Sequence, residues 1–202
     1  IAYYEAHIRE WDGTVGSCQE ILEASHHACE LGDYKRADRI LRQRKKSLEL
    51  AGQRRILLPI YERLTQEWQW TSKTEAKGLA WVWNTLGALY RELGYYSQAL
   101  AAFKKALELH QAIGNHEGEG GSLCNIGHIH QGLGQYQQAI DYYTRALPVQ
   151  KKVKNRAFEA NTLGGLGNTY FSLGQYAKAV QFHQQALIIG REIKSPEIEG
   201  HA

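Results

Sequence analysis

From Asn84 onward the apolar positions fall into stretches of helical period, and one arrangement of them returns at a spacing of 40 residues. Three segments align without gaps: NTLGALYRELGYYSQALAAFKKAL from Asn84, CNIGHIHQGLGQYQQAIDYYTRAL from Cys124 and GGLGNTYFSLGQYAKAVQFHQQAL from Gly164. In each, a first apolar stretch closes on Leu-Gly, at Gly94, Gly134 and Gly174, where a residue without a Cβ takes the left-handed conformation that ends a helix. A second stretch opens at Tyr96, Tyr136 and Tyr176. It carries small residues at Ala99, Ala139 and Ala179 and again at Ala106, Ala146 and Ala186. The pattern predicts two helices per repeat.

Helices that pack side by side need small residues where their axes approach and larger ones in the grooves between. Gly87, Gly127 and Gly167 fall inside the first helix, where each costs about 1 kcal/mol relative to Ala, and their recurrence in register predicts close contact between backbones. Neither helix of a pair covers its own apolar stripe on both sides, so neighbouring pairs must stack into a solenoid. Pro148 falls in the second helix of the middle repeat, removes one hydrogen bond and predicts a local kink.

The N-terminal third is helical but irregular. The run from Cys18 to Gly32 ends in the same Leu-Gly stop, and Asp33-Tyr34, Ala37 and Leu41 imitate the entry to a second helix, which predicts one degenerate repeat. A further helix runs from Ile56 through Tyr61 and Leu64 to Trp68, and Trp70–Thr74 reads as the connection to the regular array. At the other end, Ser195-Pro196 to Ala202 matches the start of a repeat, which suggests a truncated array. The absence of any Met and the start at Ile1 likewise suggest a piece of something longer.

Trp83, Leu86, Gly87, Tyr90, Ala99, Phe103 and Ala106 together resemble the tetratricopeptide repeat signature. The second copy keeps Leu123, Ile126, Gly127, Ala139, Tyr143 and Ala146 but has His130 for the first-helix tyrosine. The third keeps Leu163, Leu166, Gly167, Tyr170, Ala179 and Ala186 but has His183 for the phenylalanine. The marker proline is absent from all three. The usual unit is about 34 residues, and the longer one here is similar to the repeats of kinesin light chain, Pins-type polarity adaptors, bacterial multi-repeat proteins and signalling ATPases. The resemblance covers residues 75–193. It implies an all-α, right-handed superhelical solenoid of antiparallel helix pairs with about nine or ten helices. Residues 1–73 form an irregular helical extension and 74–202 the array.

Charge and composition add exclusions. Lys and Arg number 24 against 21 Asp and Glu, and a net charge of +3 is too small to imply nucleic acid or an anionic membrane as the main partner. No apolar run is long enough to span a bilayer. Cys18, Cys29 and Cys124 have no disulfide-framework or CxxC spacing, which fits buried thiols in a reducing compartment and a cytoplasmic location. His26-His27 and His128-x-His130 do not share a helix face, so no metal site is expected, and Gly118-Glu119-Gly120-Gly121 lacks the Lys-Ser/Thr and the strand of a phosphate loop. No catalytic residues, cofactor or metal are assigned.

Between Lys35 and Arg63 lie ten basic residues, which read either as a solvated helix face or domain contact, or as a nucleic-acid footprint without any recognition motif. The family resemblance implies instead a concave groove lined by the first helices. It places there Trp81, Asn84, Thr85 and Arg91 from the first repeat, Cys124, Asn125, His128 and Gln131 from the second, and Asn161, Asn168 and Phe171 from the third. Asn125 and Asn168 match the family's groove asparagines, whose amides hold a peptide backbone in both directions. Several Lys and Arg would be required for an acidic chaperone tail, and Arg91 alone is present. Trp83 is expected to be buried and Trp81 freer. The implied function is a non-catalytic module binding a peptide or helix, with a self-associating structural arm and nucleic-acid binding through the basic helices as rivals.

Overall fold

The computed structural model describes residues 15–50 and 54–194, and every regular element among them is an α-helix. In chain order these are α1 (Val15–Glu30), α2 (Tyr34–Leu50), α3 (Arg54–Glu67), α4 (Lys73–Glu92), α5 (Tyr96–Ile113), α6 (His116–Gly132), α7 (Tyr136–Lys152), α8 (Arg156–Ser172) and α9 (Tyr176–Lys194). The repeat restart expected from Ser195 to Ala202 lies outside the described residues.

The turns explain the period. Gly94, Gly134 and Gly174 have φ of 82°, 73° and 72°, the left-handed region. Around each, the next N–H reaches back to close the helix: Tyr95 donates to the carbonyl of Tyr90 at 2.8 Å, Gln135 to that of His130 at 2.8 Å and Gln175 to that of Tyr170 at 2.9 Å. The turn between repeats uses the same closure at Gly114 (φ 71°) and at Lys154, a non-glycine at φ 55°. Asn115 and Asn155 then start the next helix, each accepting through Oδ1 a backbone N–H, from Gly118 at 3.3 Å and Phe158 at 3.2 Å. Ser72 does this for α4, and Glu75 reaches back to the N–H of Thr71.

Helices pack on their sequence neighbours, and α4 also touches α6 as α6 touches α8. Two apolar clusters result. The first joins Ile21, Leu41, Tyr61, Leu64 and Trp68 of the N-terminal helices to Leu79, Val82, Leu86 and Leu89 of α4; the second runs from Ala99 and Phe103 through Ile126, Ile129 and Tyr143 to Leu166. The helix glycines do mark close approach, but of a ring onto a helix rather than of two backbones. A Cβ on Gly87, Gly127 or Gly167 would fall 2.8, 2.6 or 2.7 Å from Phe103, Tyr143 or His183. His130, in the tyrosine position, stacks on Tyr142 at 5.2 Å as Tyr170 stacks on Phe182 at 5.3 Å. The disturbance expected at Pro148 does not interrupt α7, which continues past this exposed residue to Lys152.

Candidate functional site

Because α4, α6 and α8 lie side by side, residues forty apart fall in rows across one face. A cleft of about 290 Å³ opens there. It is lined by Lys77, Trp81 and Asn84 of α4, His110 of α5, Glu117, Gly121 and Asn125 of α6, and Phe158 of α8, with Arg42 arriving from α2. Trp81 is half-buried, with the Arg42 guanidinium 4.1 Å from its ring centre and Tyr61 6.2 Å away. Trp83 is equally half-buried, so the expected contrast between a buried Trp83 and a freer Trp81 is corrected: Arg42, arriving from a different helix pair, covers the latter.

Asn84 does not stand free. Its Oδ1 accepts from the Ser122 hydroxyl at 3.1 Å, and its Nδ2 lies 3.1 Å from Nε2 of His110, whose Nδ1 lies 3.0 Å from the amide of Asn115. Burial, with the nearby Lys77 charge, pushes the His110 imidazole down to about 4, so it stays neutral at the junction of α4, α5 and α6.

A second group lies further along the array, on α6, α7 and α8. His128 Nε2 is 2.9 Å from Oδ1 of Asn161 and 3.5 Å from Cys124 Sγ, while the Tyr143 hydroxyl is 2.7 Å from His128 Nδ1 and donates to Gln131 Oε1 at 2.8 Å. Four of the expected groove residues thus meet, joined by a tyrosine from α7 whose ring packs on Gly127 and Gly165. A Cys, a His and an Asn in contact suggest nucleophilic chemistry, but burial pushes the Cys124 thiol up to about 11 and the His128 imidazole down. Thiol and amide also share one ring nitrogen, so Asn161 does not stand on the far side of the ring as the orienting residue of a Cys-His-Asn triad does.

Of the remaining expected residues, Thr85 (6% exposed) and Cys124 (1%) are buried and offer little surface. Arg91 is half-buried and has no ion pair among the described residues. Asn168 is exposed, and Phe171, 62% exposed, packs edge-on against Tyr176 at 5.4 Å. Sequence reasoning missed Arg42, Lys77 and Phe158. Lys77 and Phe158 sit in the extra first-helix turn that the longer unit supplies, one turn before Trp81 and Asn161, and that spacing was the available signal.

Three residues of the basic stretch are engaged. Arg42 donates through Nε to Asp38 at 2.8 Å and through Nη2 to the Gly78 carbonyl at 3.1 Å; Arg63 pairs with Glu67 at 2.9 Å; and Lys35 pairs with Glu75, which with the Thr71 bonds holds that carboxyl down at about 2. The side chains of Arg44, Lys45 and Lys46 lie outside the described residues. Among the described residues no group of three or more His, Cys, Asp or Glu could hold a metal ion, and no helix is long and apolar enough to cross a membrane.

Antiparallel pairs joined by glycine turns and stacked in one direction define a helical-repeat solenoid. A tetratricopeptide repeat profile matches residues 78–152 and 120–192, more than half of the chain. The chain belongs to the tetratricopeptide repeat family, whose right-handed superhelix is a protein-interaction fold that is generally non-catalytic. Among solved structures it is similar to apo RapI (16% identity, TM-score 0.78, 96% of this chain and 69% of that one) and to aspartyl phosphate phosphatase F from Bacillus subtilis (16%, 0.66, 86% and 50%). A kinesin light chain-like repeat protein from Podosopora anserina is also similar (13%, 0.58, 87% and 95%). The chain thus spans half the length of the Bacillus subtilis protein. No curated protein matches the sequence.

Proposed function

We propose that this chain is a non-catalytic interaction module holding an extended peptide or a helix across the face of α4, α6 and α8, as the sensor or scaffold arm of a larger protein. The observation that carries this reading is the cleft between Trp81 and Phe158, which the chain's own side chains leave open and into which Asn125 presents an amide with no hydrogen-bond partner among the described residues. An amide that donates and accepts suits a peptide backbone. Residues 1–73 form a helical extension that supplies Arg42 to the rim, and residues 74–202 the array, working in the cytoplasm with reduced thiols. The phosphatase name of one neighbour is not carried over, since Cys124 is buried and its burial holds the thiol protonated.

Selecting random peptides displayed on phage against the chain tests this. Binders are expected, and Asn125→Ala combined with Asn168→Ala weakens them about tenfold, the loss of one or two hydrogen bonds, without lowering the melting temperature. A selection that returns no peptide, or peptides indifferent to both changes, overturns the groove.

Self-association has one observation in its favour: Val180, Leu187, Ile188 and Ile193 of α9 are 48–56% exposed. Sedimentation velocity separates it from peptide capture, because a self-associating arm grows with protein concentration alone. The nucleic-acid reading is the weaker, since Lys35, Arg42 and Arg63 already hold acidic partners.

A further inference from the structure

A second cleft, of about 430 Å³, lies where the N-terminal helices meet the array. Its charged lining is Lys35, Asp38, Arg39 and Arg42 of α2 with Glu75 and Lys77 of α4. Its floor is the indole of Trp68, packed so closely on Gly78 that a Cβ there would fall 2.7 Å from the ring.

Both carboxylates are already matched. Asp38 accepts the Arg42 Nε–H at 2.8 and 2.9 Å, and Glu75 pairs with Lys35. Arg39 and Lys77 hold no ion pair among the described residues, so four cations against two carboxylates leave a surplus of two positive charges in the lining. Glu117 stands in the neighbouring first-helix cleft, which Lys77 and Arg42 also line. It makes no ion pair with Lys77 and accepts from the Asn155 amide at 3.2 Å; set against Lys77, it still leaves Arg39 uncompensated.

The donors are held in place. The Arg42 guanidinium is fixed by Asp38, by the Gly78 carbonyl at 3.1 Å and by the Trp81 ring at 4.1 Å, and of its five N–H groups only the Nε–H and one on Nη2 are engaged. The Thr74 hydroxyl, also in the lining, has no partner among the described residues.

We infer that this cleft binds a phosphoryl dianion, either free phosphate or the head of a small phosphate monoester. The surplus matches a dianion rather than the single charge of a phosphodiester, which separates the site from a nucleic-acid footprint. Arg42 supplies donors in a fixed plane, while Arg39 and Lys77 add charge from two different helices. The volume of about 430 Å³ equals roughly fourteen water molecules, so the organic group of an ester fits beside its phosphate. An anion held by Arg39 and Lys77 ties α2 to α4, as the Lys35–Glu75 pair does.

Broadening of the ligand's phosphorus NMR signal tests this on the full chain, with phosphate, glycerol 2-phosphate and dimethyl phosphate titrated separately at pH 8 and constant ionic strength. Phosphate and glycerol 2-phosphate are dianions there and are expected to bind, whereas the singly charged diester is not. Tighter glycerol 2-phosphate assigns the site to an ester, and equal or tighter phosphate to the free ion; both support it. Arg39→Gln and Lys77→Gln should each weaken binding about three- to tenfold and together abolish it. Melting curves in chloride should not change, because neither side chain holds a partner that the substitution would strand. No broadening by either dianion at about 20 mM, equal broadening of dimethyl phosphate, or binding retained in the double variant overturns the inference.

Discussion

The ring of Tyr143 occupies the space where a side chain on Gly127 would begin: a Cβ built there falls 2.6 Å from Cε1, and one on Gly165 falls 2.6 Å from Cζ. Tyr143 is therefore clamped between α6 and α8, and only so can its hydroxyl reach His128 and Gln131 on the candidate binding face.

Gly127→Ala tests the clamp. Helix propensity favours Ala by about 1 kcal/mol, but overpacking costs typically 1–3 kcal/mol, so a net loss of stability is expected. Gly164, also inside a helix, has nothing within 4 Å of a built Cβ, so Gly164→Ala should gain about 1 kcal/mol. Urea denaturation of the two variants checks the opposite signs.

His110 predicts a pH dependence. Its folded pKa of about 4 lies below the ordinary 6.5, so between those values the unfolded chain binds the extra proton. Stability is therefore fully present above about pH 6.5 and is lost as pH falls toward 4, by up to about 3 kcal/mol. Burial of His128 acts in the same direction. Urea midpoints between pH 4 and 7 should fall with acid, and His110→Gln should flatten the slope; an unchanged slope would show that this histidine is not the source.

Lys154 holds the left-handed position that Gly114 fills one repeat earlier. An L-residue there costs about 1–2 kcal/mol, so Lys154→Gly should raise the melting temperature, and Gly134→Ala should lower it. Thermal melts followed by circular dichroism read both.

Cys29 and Cys124 are buried, and burial pushes both thiols up to about 11. Neither is expected to react with iodoacetamide at pH 8 over minutes in the folded chain, and both should do so in denaturant. Peptide mapping by mass spectrometry tells them apart; rapid labelling of Cys124 in the folded state would reopen a nucleophilic role.

Much of this was legible in the chain itself. The helix pairs, the glycine stops at Gly94, Gly134 and Gly174, and the tetratricopeptide repeat family follow from a local pattern written three times, since periodicity and left-handed glycines need only neighbouring residues to act. The face that Asn84, Asn125 and His128 share was legible for the same reason.

Which of those residues stand open on that face was decided by tertiary packing. Thr85 and Cys124 hold groove positions in the repeat yet are buried, Trp81 is covered by an arginine 39 positions away, and Tyr143 reaches the face from a second helix through the gaps at two glycines. Burial and pairing depend on which helices come to lie side by side, and a one-dimensional pattern records the register of a helix but not what presses against it.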